Sequence, residues 1–144
     1  MEFTVQVENG ELAAALGSIN AWDGKTRLAV EAALKKGTDK ILRQARQRAA
    51  VRTGAMKKSL KQSFSATKLE GRVYSNKPYA HLVEYGAKAA SVRPKTKKAL
   101  RFSNGVFSMR ANIPRRNPKP FMKPAYDYCA PDIIKEIKKA VGKK

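Results

Sequence analysis

With 144 residues, 42% of them hydrophobic, the chain is long enough for one domain, spanning 1–144, around a modest core. Its 31 Lys and Arg against 11 Asp and Glu leave a formal net charge of +20, which predicts a polyanionic neighbour, either nucleic acid or an acidic protein surface. No apolar run approaches the ~18–20 residues of a membrane span, no basic-then-apolar leader opens the chain, and the single cysteine, Cys129, excludes an internal disulfide and any zinc site built on several thiolates.

Phe3–Val7 alternates apolar and polar residues and predicts a half-buried strand. Asn9-Gly10 is a turn signal, Glu11–Ile19 suits a short helix, and Trp22-Asp23-Gly24 breaks it. From about Thr26 to Ala50 the pattern becomes helical. Val30, Leu34, Ile41, Ala45 and Ala49 fall on one face, with Leu42 beside them. Asp23 or Thr26 can cap its start, and Gly37 inside it marks a close packing point. Arg52-Thr53-Gly54 interrupts the helix, and Thr53 is a candidate cap for a second one over Ala55–Gln62. Ser63–Thr67 and Arg72–Ser75 predict two strands around a turn at Glu70-Gly71.

Pro78 suits the first position of a helix over Tyr79–Tyr85, and Gly86 its stop. Ala87–Lys98 has no apolar period and reads as an extended basic loop. Ala99–Met109, with Asn104-Gly105 inside it, predicts a hairpin. Asn112–Pro120, with three prolines, reads as loop. Phe121–Ala125 leads into a C-terminal helix with Ile133, Ile134 and Ile137 on its apolar face, a kink or restart at Pro131 and frayed residues from Val141 on. These elements predict an α+β fold, a small antiparallel sheet packed against one long amphipathic helix and a C-terminal helix, with a basic loop and hairpin over 87–118.

The cations are clustered: no acid lies between Asp39 and Glu70, or between Glu84 and Asp127. No catalytic constellation accompanies them. His81, the one histidine, predicts a partly exposed helix residue, and Cys129 a small apolar filler on a helix. Acids are sparse and scattered, and no Gly-rich loop resembles a phosphate cradle. Neither a metal nor a cofactor is expected. Glu84, the one acid in a basic region, is expected to pair with an arginine such as Arg52 or Arg72.

The order Thr53-Gly54, Ser59-Leu60, Tyr79-Ala80-His81-Leu82-Val83-Glu84-Tyr85-Gly86 and Pro120-Phe121-Met122-Lys123-Pro124-Ala125 resembles a family of small siphophage proteins. These are tail-completion or head–tail joining components, often called neck or minor tail proteins and typified by the tenth gene product of a lambdoid coliphage. Ala87 stands where the family pattern often has Thr. The resemblance implies a structural virion protein of the head–tail junction or tail, present in the host cytoplasm during assembly, with no enzymatic activity. It implies a homo-oligomeric, hexameric ring with tail-terminator, stopper or connector, portal or tail-tube proteins as partners. Thr53, Gly54, Tyr79, Glu84, Gly86, Pro120 and Phe121 carry its motifs. Lys88, Arg93, Lys95, Lys97, Lys98, Arg115 and Arg116 are then the candidates to contact neighbouring proteins or, nonspecifically, the phosphates of packaged DNA.

The alternative is a stand-alone basic nucleic-acid-binding protein. Charge supports it. Aromatic residues interleaved with basic ones on a strand face, and a helix-turn-helix pattern, are both missing from the sequence.

Overall fold

A computed structural model of the chain describes residues 2–6, as backbone, and 23–142. The predicted Asn9-Gly10 turn and Glu11–Ile19 helix lie outside those residues, as do Val7, Trp22 and the last two lysines.

Strand β1 (Glu2–Gln6) is followed by helix α1 (Gly24–Arg48), the short helix α2 (Ala55–Ser59) and strands β2 (Leu60–Ser65) and β3 (Glu70–Ser75). A short helix α3 (Ala80–Tyr85) leads to four short strands, β4 (Ala90–Val92), β5 (Leu100–Arg101), β6 (Phe107–Ser108) and β7 (Ala111–Ile113). Helix α4 (Met122–Gly142) ends the described chain. The main sheet has the order β1-β3-β2, antiparallel throughout, with Phe3 opposite Val73 and Leu60 opposite Ser75. The architecture is the expected α+β one, with the long helix and the C-terminal helix packed on small antiparallel sheets.

Helix α1 begins at Asp23, whose carboxylate accepts from the Thr26 amide at 2.7 Å, so Asp23 is the cap. All six predicted stripe residues, five in α1 and Ala49 just past its end, are buried. The buried positions double at Gly37/Thr38 and Ile41/Leu42, because the helix has partners on two sides. Gly37 faces α4: a Cβ there would sit 2.7 Å from Ile133 Cγ1. Thr38 faces the sheet, its hydroxyl donating to the Leu34 carbonyl at 2.8 Å and lying where a Cβ on Gly71 would go. Replacing Gly37 with Ala should therefore lose stability, although Ala favours a helix by about 1 kcal/mol. Two atoms of Ile133 lie under 3.0 Å from the new Cβ, and overpacking of this kind costs roughly 1–3 kcal/mol. In an Ile133→Ala background the same change should become stabilising in urea unfolding, since only the propensity gain is left.

Several predicted elements differ. α2 stops at Ser59 and the chain is already strand at Leu60. Ser59 is buried and its hydroxyl shares a hydrogen bond with that of Ser75 on β3 at 2.8 Å, which draws the chain into the sheet. The turn between β2 and β3 spans residues 66–69, not Glu70-Gly71. It closes with Leu69 at φ 50. A left-handed leucine costs roughly 1–2 kcal/mol, and full burial of its side chain returns about 1.5–3 kcal/mol. Ile134 of α4 is 39% exposed. The buried stripe instead runs through Met122, Ala125, Cys129, Ile133 and Ile137. The helix continues across Pro131, which is exposed, so no restart occurs there.

Candidate functional site

Between α3 and α4 the chain leaves the core altogether. No residue from Tyr85 to Pro120 is buried. The backbone still pairs with itself in nested order: Ala87 with Arg116, Ala90 with Ile113, Val92 with Ala111, Leu100 with Ser108. The segment predicted as an unpaired basic loop, and the one predicted as loop after Asn112, thus supply two strands, β4 and β7, of one long hairpin-like arm. Its tip is the predicted hairpin, with Gly105 at φ 83 and the Phe102 amide donating to the Val106 carbonyl at 2.9 Å. Across the arm, Arg110 Nε donates to Ser91 Oγ at 2.6 Å.

The arm's root is clasped. The Ala87 amide donates to the Arg116 carbonyl at 3.0 Å, the Arg116 amide returns a bond to Ala87 at 2.8 Å, and the Lys119 amide donates to the Val83 carbonyl at 2.8 Å. The bonds at residue 87 are made by backbone alone, so an alanine serves there. Gly86 has φ 78, and a Cβ on it would meet the Arg116 carbonyl oxygen at 2.7 Å. Only glycine combines that backbone with that approach.

Below the root lies Glu84, 2% exposed. Its Oε2 accepts from the amides of Phe121 (2.8 Å) and Met122 (3.0 Å), and its Oε1 from Lys123 (2.8 Å). The expected pairing with Arg52 or Arg72 is therefore wrong. Arg72 pairs with Glu70, and Arg52 is exposed beside α3. The carboxylate instead meets the unsatisfied amides and positive dipole end of α4. Asn117 and Lys119 precede prolines and are held extended, which carries the chain to Phe121 without helix. Thr53 does not itself flank α2, because Gly54 at φ 74 holds that place, but its hydroxyl accepts from the Ala55 amide, the first of that helix, at 3.4 Å. Pro78 and Tyr79 form a turn ahead of α3.

The predicted cations fall in two groups. Lys88, Arg115 and Arg116 line a cleft of about 540 Å³ at the root, with Tyr85 and Gly86. Arg93, Lys95, Lys97 and Lys98 occupy the stretch between β4 and β5. Thr53, Gly54 and Tyr79 share a second cleft, of about 760 Å³, with Arg52, Leu82, Arg116 and Lys119. Pro120 is exposed, and Phe121 is wholly buried. The sequence reasoning missed Arg52, Leu82 and Lys119 as cleft residues, and also the exposed apolar residues of the arm, most of all Val106, Phe107 (64% exposed) and Met109 (75%). Their only signal was an apolar hairpin in a segment otherwise basic and without apolar period.

His81 is exposed on α3. Cys129 is buried on α4, and burial pushes its thiol up, away from the nucleophilic thiolate form. Among the described residues, no group of three or more His, Cys, Asp and Glu could hold a metal ion, and no helix is long and apolar enough to cross a membrane.

Residues 10–86, more than half of the chain, match the HK97-gp10-like family model, described as “Bacteriophage HK97-gp10, putative tail-component”. The match holds Thr53, Gly54, Tyr79, Glu84 and Gly86 and ends where the arm begins. The further stretch of resemblance, Pro120–Ala125, lies outside it. No curated protein and no solved structure matches the chain.

Proposed function

The chain belongs to the HK97-gp10-like family of phage tail components, and from that premise we propose that it is a tail-completion or neck protein joining tail to head through subunit contacts. Its output is binding, not bond-making. The observation that carries this reading is the arm: clasped at its base, cationic along its length, and without one buried residue. Isolated two-stranded ladders are marginal in water, so such an arm gains its stability from what it docks on. Repeated heterologous contacts of this kind close a ring, here a homo-oligomer, hexameric by family expectation. The arms reach the neighbouring subunit and the layers above and below: tail terminator, stopper or connector, portal, or tail tube. Assembly takes place in the host cytoplasm and the product is part of the virion. Where arms face the channel, the contact is to DNA phosphate, since a channel passes any sequence.

The test is removal of charge from the arm. The triple variant Lys95→Ala, Lys97→Ala, Lys98→Ala should unfold within about 0.5 kcal/mol of the parent, since all three side chains are exposed. Infectious particles should fall by about tenfold or more, equivalent to roughly 1.4 kcal/mol of lost docking. An unchanged particle yield would remove the arm from assembly. Tight, steeply salt-dependent binding of free DNA by a chain absent from particles would favour the stand-alone nucleic-acid reading instead.

A further inference from the structure

We infer that the cleft between the Thr53-Gly54 turn, α3 and the arm's root seats an acidic segment of a different polypeptide. That segment sets carboxylates on Arg52 and Arg116 and an apolar side chain against Met56 and Leu82. The inference rests on the tail-component reading and specifies the chemistry of one of its contacts.

Three cations line the cleft, Arg52, Arg116 and Lys119, and no carboxylate does. All three are exposed, and none forms an ion pair among the described residues. The rest of the lining is largely apolar: Met56 buried, Val83 half-buried, Leu82 39% exposed. Guanidinium groups above an apolar surface match carboxylates spaced among apolar side chains, because the planar fork takes a carboxylate through two bonds.

A second copy of the chain fits poorly. Of the described acids from Glu31 onward, only the exposed Glu136 is without an internal partner. Five are in internal ion pairs, with Arg27, Arg43, Arg72, Lys123 and Lys40, and Glu84 holds the start of α4. A basic surface of a second copy set on this cleft would bring cation to cation, whereas the arm's contacts with a neighbouring subunit lie elsewhere. Nucleic acid would satisfy the cations and leave the Met56 and Leu82 surface uncovered. An acidic, apolar-bearing protein segment meets both demands at once.

The test places the photo-cross-linker p-benzoylphenylalanine at Leu82, and separately at Phe107 on the arm, in the full chain within assembled particles. Cross-linked peptides are then sequenced by mass spectrometry. The probe at Leu82 should join an acidic segment of another virion polypeptide. Its yield should drop by about tenfold or more in the double variant Arg52→Glu, Arg116→Glu. That variant's unfolding midpoint should match the parent's, because both side chains are exposed. Cross-links to a second copy or to DNA, or a yield indifferent to the double variant, would overturn the inference. Silence at Leu82 also overturns it, whatever Phe107 does. The tail-component reading fails separately, if the chain is missing from purified particles.

Discussion

Glu84→Ala is expected to lower the unfolding free energy by roughly 3–4 kcal/mol, which for a chain of this length shifts the thermal midpoint by about 10 °C. Three amides at the head of α4 depend on this one carboxylate. Hydrogen bonds to a charged group contribute roughly 1.5–3 kcal/mol each. The loss falls short of their sum because the Lys123 end of the site is only part-buried, where water can replace one oxygen. Against a typical total of about 5–15 kcal/mol the effect is large. Glu84→Gln should lose about half as much: one oxygen can still accept from two amides, while the new NH2 group opposes the third donor. Hydrogen exchange separates this account from simple core damage. Protection of the Phe121, Met122 and Lys123 amides should collapse first, while amides in the middle of α1 hold. Uniform loss across both helices would show that Glu84 acts as general filler. Because Glu84 ties the end of α3 to the start of α4, between which the arm is strung, Glu84→Ala should also impair assembly under conditions where the protein is still folded.

Gly71→Ala is expected to cost roughly 2–4 kcal/mol, at or beyond the usual range for overpacking. The added Cβ would stand 1.9 Å from the Thr38 hydroxyl and 3.1 Å from its Cβ. The threonine cannot step aside. It is 2% exposed, β-branched and tied to the Leu34 carbonyl. Either α1 lifts off β3 or the threonine abandons its rotamer. Thr38→Ala alone should cost only about 1 kcal/mol, for one hydrogen bond and a little packing. The double variant should then recover most of the loss from Gly71→Ala, a non-additivity that marks direct contact. Equal stability for Gly71→Ala with and without Thr38→Ala would mean the helix–sheet distance is set elsewhere.

The elements that could be read in advance are those whose cause is local. The stripe from Val30 to Ala49 repeats at the helical period, so its buried face follows from spacing alone. Gly86 ends α3 and Asn104-Gly105 turns the hairpin for reasons contained within a few residues. The errors have the opposite character. Leu60 suits the end of a helix and the start of a strand equally well, and its place opposite Ser75 decided between them. Ile134 and Ile133 are equivalent as neighbours in sequence, and Gly37 on another helix chose Ile133 for the interior.

The candidate site divides in the same way. That 87–118 is basic and bears a hairpin turn could be stated from residue types and their order. Glu84's partner could not. It binds backbone amides 37 to 39 positions away. Nearly every residue carries such an amide, so sequence does not mark which ones lack a partner. Arginines, by contrast, are conspicuous in a sequence, and they drew the wrong expectation. Composition and periodicity thus settled the charge, the two long helices and the turn at the arm's tip, because those follow from neighbours along the chain. Closure of the arm's base, and the bringing together of Arg52, Leu82 and Arg116 in one cleft, depend on which distant groups the packed core leaves unsatisfied. Only folding in three dimensions determines that.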